Sequence, residues 1–287
     1  MKKTLIALAV TASAVVSCSA MAGLGGWTEG SNGGSVNIGG TITANNIPVW
    51  LVATGAGFSG FSNEVTDLTD GNKLLTVNAP EAIPVVAIKS KDAYTAGDYS
   101  KGTMPSVVIS GGDGVAISRT NWGSGKFDFS VPIYVNGAIA GTATFMQAVP
   151  AGMMYGSNVN GTSGIKLVVS DNYKDANSLY AGVVGGSQQA IGVDDTEALM
   201  TSLGFSDLIT ETKDKVGSFN TWSDNGWMQS VTPASVITKF NTEAMNKAAT
   251  ALVFGIAQNG TIKLAFTNAV QSKTAWTVPL NVAVTYN

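Results

Sequence analysis

Residues 276–286 read Trp-Thr-Val-Pro-Leu-Asn-Val-Ala-Val-Thr-Tyr and alternate without a break. In an extended chain Trp276, Val278, Leu280, Val282, Val284 and Tyr286 share one side. Thr277, Pro279, Asn281, Ala283 and Thr285 share the other. One side is wholly apolar and the other mostly small and polar, so the segment predicts a β-strand with one face on a core. Pro279 lacks an N–H and suits an edge or a bulge. The strand is therefore expected to border something open.

Working outward, the same grammar recurs. Residues 251–257 and 261–266 flank Gln258-Asn259-Gly260, and residues 127–135 and 139–147 flank Asn136-Gly137. Asn-Gly between alternating runs is a strong hairpin signal. Further strands are expected at residues 35–44, 48–54, 73–78, 83–88, 106–110 and 115–118, each bounded by Gly, Asn, Asp or Ser. Between about residues 149 and 233 the texture changes. Residues 193–203 (VDDTEALMTSL) carry acids in their first turn and Gly204 just beyond their end, as a short helix should. Residues 206–215 predict a second helix with Ser206 as N-cap. Many short strands and little helix predict a mainly β protein, a β-sandwich with an inserted region containing short helices.

Composition narrows function by exclusion. The chain has 287 residues, 45% hydrophobic but only 12% charged, with 34 glycines, one cysteine and no histidine. Without His there is no Ser-His-Asp triad or His-ligated zinc, and Cys18 is the lone thiol. Arg119 is the only arginine and the lysines are scattered, so no basic face for nucleic acid is expected. Residues 1–22 read as an export leader: Lys2 and Lys3, an apolar run over residues 5–16, then Ala20-Met21-Ala22. Cleavage there removes the cysteine; the alternative is a lipidated Cys18 within Val15-Val16-Ser17-Cys18.

Three motifs have chemical readings. Gly55-Ala56-Gly57-Phe58-Ser59-Gly60 matches a dinucleotide-binding glycine pattern, but residues 61–71 lack the helical period that must follow, so a plain glycine loop is expected. Asp113 and Asp171 have no calcium-loop spacing, and Asp194, Asp195 and Glu197 suit a helix start better than a hydrolase; neither metal nor cofactor is expected. The middle region holds Tyr155, Tyr173 and Tyr180 together with Asp171, Asn172 and Lys174. Flat rings beside such polar groups suit a sugar site, whereas Trp222 and Trp227 suit core anchors of the insertion better.

Residues 35–44 (SVNIGGTITA) follow a short Gly-rich leader and alternate cleanly. They admit two readings, a first strand of the chain's own sheet or a strand donated to a neighbour. The adjacent glycines Gly39 and Gly40 favour close backbone approach.

The leader MKKTLIALAV, GSVNIGGTITA (residues 34–44), GFSGFSNEVTDLTDG (57–71) and the closing stretch from Phe254 to Asn287 resemble the FaeG-type fimbrial subunits, adhesins of enterobacterial chaperone–usher fimbriae. The resemblance is close at both ends and loose over residues 149–233. It implies an incomplete immunoglobulin-like sandwich whose groove is filled first by a periplasmic chaperone and then, at the outer-membrane usher, by the N-terminal extension of the next subunit. On that basis residues 23–45 are the extension and 46–287 the subunit domain. Val36, Ile38 and Ile42 correspond to plugs of the donor strand, Gly40 to a shallow pocket, and Trp276, Val278, Leu280, Val282, Val284 and Tyr286 to one groove wall. Homopolymerisation, surface localisation and binding of galactose-containing host glycans are implied, without enzymatic chemistry. The competing expectation is a self-contained secreted carbohydrate-binding protein or hydrolase with an intact sandwich.

Overall fold

The computed structural model describes residues 50–99, 105–170, 191–229, 238 and 240–286, all within the compact unit Ala44–Asn287. Residues 35–44, expected as a donor strand, lie outside the described residues. Twelve strands are described: β1 (Trp50–Thr54), β2 (Leu74–Asn78), β3 (Ile83–Ser90), β4 (Pro105–Gly111), β5 (Thr120–Gly123), β6 (Lys126–Val135), β7 (Ala138–Asn158), β8 (Gly164–Ser170), β9 (Trp222–Gln229), β10 (Met245–Ile256), β11 (Thr261–Phe266) and β12 (Leu280–Tyr286). The helices are α1 (Ala96–Tyr99), α2 (Val193–Ser202) and α3 (Ser206–Val216). The chain is mainly β, as its alternation predicts.

β7, 21 residues long, organises the sandwich. Its first half pairs antiparallel with β6 and β11, giving a layer β5-β6-β7-β11-β2. Its second half pairs with β10 and β8, giving a layer β1-β3-β10-β7-β8-β9. β8 and β9 run parallel. The change of layer occurs where β7 carries two residues, Met146 and Gln147, against Asp128 of β6, a β-bulge. Gln147 takes φ 58°. Its N–H donates to Asp128 Oδ1 at 2.7 Å, and Asn121 Nδ2 donates to Asp128 Oδ2 at 2.9 Å. A buried carboxylate thus satisfies the main chain that the bulge would otherwise orphan.

Two cores result. Between the layers, Phe127 stacks on Phe254 at 5.7 Å and Phe129 on Phe145 at 4.7 Å, with Ile88, Ile133, Leu167, Leu252 and Leu264 around them. On the other face of the larger layer, Val193, Met200, Leu203, Ile209 and Val216 of the helical region cover Val149, Ala151, Met153, Ala249, Ala251 and Val253. The second half of β7 and most of β10 are therefore buried on both faces, which is why their sequences run apolar without alternating. Residue 149, where the sequence changes texture, is the point at which β7 enters this doubly covered layer.

Asn136 and Gly137 take φ 51° and 79° and close the β6–β7 hairpin as the sequence predicts. Four expectations are corrected. Gln258-Asn259-Gly260 closes no hairpin, because β10 pairs with β3 and β7 in one layer and β11 with β2 and β7 in the other. Residues 115–118 form no strand; only Ala116 bridges Ser110, through Gly111 N–H to Val115 O at 3.0 Å and Ile117 N–H to Ile109 O at 2.9 Å. Ser206 is the first helical residue rather than the N-cap, which is Phe205. The last strand begins at Leu280, since Pro279 has no N–H for a ladder; before it Thr277 makes an isolated two-way bridge to Tyr134 at 2.8 and 2.9 Å.

Candidate functional site

β12 pairs with β4 from Leu280↔Gly111 to Tyr286↔Pro105, and these two strands form a sheet of their own. Among the described residues no strand lies along the other edge of β12. On the inner side of β12 and of the stretch leading into it, Trp276, Val278, Leu280, Val282 and Val284 are only half-buried, although all pack against the central core. Opposite, β1 points Trp50 and Val52 to the same side, yet Trp50 is 6% exposed and Val52 40%. The core is closed at one end of β1 and open at the other. An exposed apolar strand edge of this kind is something proteins ordinarily cover.

Between these two walls lies a cavity of about 890 Å³. Its floor is Val85, Phe145, Ile256 and Ile262. One wall is the stretch from Thr274 to Val282, and the other runs through Thr54, Gly55 and Phe58 to Phe61. After Thr54 the chain keeps one bond to the sheet, Gly55 N–H to Val85 O at 3.0 Å. Only glycine fits there, because a Cβ on Gly55 would sit 1.8 Å from Pro84 O. No residue lining the cavity is ionisable, so the lining offers apolar surface and main-chain groups but no acid or base. The glycine loop 55–60 is groove wall, followed by a single 3-10 turn at Val65–Asp67 instead of a dinucleotide-binding helix.

The structure brings Trp276, Val278, Leu280 and Val282 together on the cavity and places Val284 in line beyond them; Tyr286 closes the ladder opposite Pro105. Val36, Ile38, Gly40 and Ile42 lie outside the described residues, as do Asp171, Asn172, Tyr173, Lys174 and Tyr180. Tyr155 is corrected. It is fully buried, its hydroxyl donates to Glu197 Oε1 at 2.9 Å, and its ring meets Trp222 edge-on at 5.8 Å. Burial, then the negative Glu197, pushes its phenol far above the ordinary tyrosine value. That ring has no face to offer a sugar.

Around Tyr155 runs a structural ion network. Lys213 Nζ bonds Glu197 Oε1 at 2.8 Å and lies over the Tyr155 and Trp222 rings at 5.1 and 5.6 Å. Lys166 reaches Asp194 at 3.0 Å and Asp224 at 3.2 Å. Burial alone would lower the Lys166 ammonium's pKa, but its hydrogen bonds to the two carboxylates more than reverse this and raise it. These pairs tie α2 and α3 to the sheet. Among the described residues no group of acids could hold a metal ion.

The floor was not foreseeable residue by residue. Val85, Phe145 and Ile262 look like ordinary strand residues, and only the pairing of distant strands assembles them. A signal for Phe58 and Phe61 did exist, namely two aromatics within a glycine loop.

The whole chain, residues 1–287, matches the family described as fimbrial, major and minor subunit. The chain belongs to that family. K88 fimbrial protein AB of Escherichia coli is 30% identical to this fimbrial subunit over 300 residues, and K88 fimbrial protein AC of the same species 31% over 298, each covering 100% of both chains. F41 fimbrial protein of Escherichia coli is 36% identical over 137 residues, 48% of this chain and 47% of that one. These relatives are fimbrial structural proteins, not enzymes. Fimbrial subunits are surface-exported components of a polymer of like subunits, and the apolar groove belongs to such a subunit.

Proposed function

We propose that this fimbrial subunit is held in its fibre by strand donation. Residues 35–44 of one copy lie along β12 of the next, with Val36, Ile38 and Ile42 entering the groove and Gly40 over its shallowest point. The observation that carries this reading is the half-exposed inner face of Trp276 to Val284 beside an apolar cavity. Length supports it as well, since both the nine-residue wall and the ten-residue donor span about 30 Å at 3.3 Å per residue. A strand laid on a free edge gains main-chain hydrogen bonds along its length and sinks alternate side chains into the groove. During export a periplasmic chaperone occupies the same groove, and exchange takes place at an outer-membrane usher.

The mature fibre also presents the segment between β8 and α2 for adhesion. Tyr173 with Asp171, Asn172 and Lys174, and Tyr180 nearby, supplies the flat ring and polar groups that galactose-containing glycans need.

Deleting residues 35–44 tests the first reading. The expected product is a soluble subunit that copurifies with the chaperone and does not polymerise. A compact monomer needing no chaperone would refute it and favour a self-contained binding protein. Glycan-array binding by intact fimbriae, with Tyr173→Ala as control, tests adhesion. No signal on galactosides leaves a purely structural role.

A further inference from the structure

We infer that the stacked pair Phe61–Trp276, braced by Phe58, is an end stop that sets the register of the strand lying in the groove; this rests on the strand-donation reading above. The two walls meet at these rings. Phe61 stacks on Trp276 with centroids 5.8 Å apart and planes 26° apart, and Phe58 meets Phe61 edge-on at 4.8 Å. All three are half-buried and line the cavity. Toward the far end Val52 and Val284 keep part of their exposure, and beyond Val52 the ring of Trp50 is buried beside Tyr94, centroids 6.4 Å apart.

The stop is anchored on both sides. Trp276 precedes Thr277, whose N–H and C=O are both bonded to Tyr134. Phe58 packs against Gly60 so closely that a Cβ there would lie 2.8 Å from its Cζ, and Gly57 takes φ +75° to turn the chain. The small residues of GAGFSG therefore serve to bring aromatic rings to the mouth of the groove.

A register needs such a device because apolar burial sets it only in part. Sliding the donor by one residue turns Asn37 and Thr41 into the apolar groove, which burial strongly disfavours. Sliding by two, about 7 Å, restores the alternation and changes only which aliphatic meets which pocket. Discrimination against that slide calls for a clash rather than a contact. Rings bridging both walls supply the clash.

The test uses inter-subunit disulfides in assembled fimbriae of the full chain, whose mature part contains no native cysteine when the leader is cleaved at Ala22. Ala283→Cys, exposed on the outer face of β12, is combined in turn with Asn37→Cys, Gly39→Cys, Thr41→Cys or Thr43→Cys, the outward positions of the donor. With the stop intact, one combination gives a covalent ladder on non-reducing gels, at least about tenfold over its neighbours. Trp276→Leu or Phe61→Leu, which keep an apolar side chain but remove the stack, are expected to bring a second combination two residues away to within about threefold. Trp276→Phe, which restores a ring, returns the single ladder. An unchanged single ladder in both leucine variants overturns the end stop and leaves strand donation standing. Absence of a ladder in every combination, although fibres form, overturns both.

Discussion

Leu280 and Ile262 face the same cavity, but one is wall and the other floor. Leu280 is half-buried in the subunit, whereas Ile262 is 2% exposed. Truncation to alanine should therefore divide differently between folding and donor binding. Leu280→Ala removes three carbons, worth about 2.4 kcal/mol at about 0.8 per carbon when fully covered. A half-covered side chain has about half of that in the empty subunit, leaving about 1.2 kcal/mol that appears only when a donor covers it. That corresponds to a five- to tenfold weaker Kd, at about 1.4 kcal/mol per decade. Ile262→Ala takes nearly its whole loss, about 2–5 kcal/mol, from the subunit itself, and donor affinity changes by less than about twofold. One assay separates the two. In the chaperone complex of the subunit lacking residues 35–44, the concentration of a peptide of residues 33–46 that displaces the chaperone gives the relative Kd, and the denaturant midpoint of the peptide-filled product gives the stability loss. The reasoning fails if Leu280→Ala leaves Kd unchanged, or if Ile262→Ala weakens it as much.

Asp128→Ala orphans the Gln147 N–H and the Asn121 amide at the bulge; two hydrogen bonds to a charged group imply a loss of about 3 kcal/mol or more, read by denaturation of the donor-filled subunit. Gly55→Ala has no room beside Pro84 O and should abolish peptide-induced stabilisation, with Gly114→Ala, at a turn whose Cβ meets nothing, as the milder control. The Glu211 carboxylate is held below the usual glutamate range, first by its hydrogen bond from Lys89, which outweighs the opposing effect of burial, and further by Lys215. A depressed folded value means that the stabilisation is complete above the unfolded glutamate value of about 4.3 and lost as pH falls through the lower folded value. Because Glu211 is 47% exposed, the pair is worth only a few tenths of a kcal/mol. Glu211→Gln should cost that much at pH 6 and nothing at pH 2, measured by the same midpoints.

What was legible in the sequence follows from how many faces each element buries. β11 and β12 read cleanly because each packs one side on a core and shows the other to water. β7 beyond Gln147 and β10 lost that signature because α2 and α3 cover the face that would otherwise be polar. The same double coverage hid Tyr155. Beside Gly156 and Ser157 it reads as a loop aromatic, yet it stands mid-strand beneath Glu197 and Lys213. The helices themselves were foreseeable to within a residue or two, since first-turn acids and a terminal glycine are local chemistry that tertiary packing does not override.

The groove was legible in an indirect way. A strand of Trp, Val, Leu, Val and Val on one side is a sequence written for full burial, yet in the folded subunit that side is covered only by half. Leu75 and Val77 of β2, Ile262 and Leu264 of β11, and Phe127 and Phe129 of β6 show no such shortfall and are all buried as their alternation demands. The shortfall at β12 therefore reports apolar surface that this chain does not bury by its own described residues, beside a free row of main-chain donors and acceptors. Hydrophobic burial disfavours leaving such surface wet, and main-chain groups at a strand edge are satisfied best by another strand. Both requirements are met by one object, an extended segment with apolar residues at every second position, and residues 35–44 have that pattern in the same chain. On the proposed reading, a fold one strand short and an alternating segment ahead of the domain are complementary halves of one polymer contact.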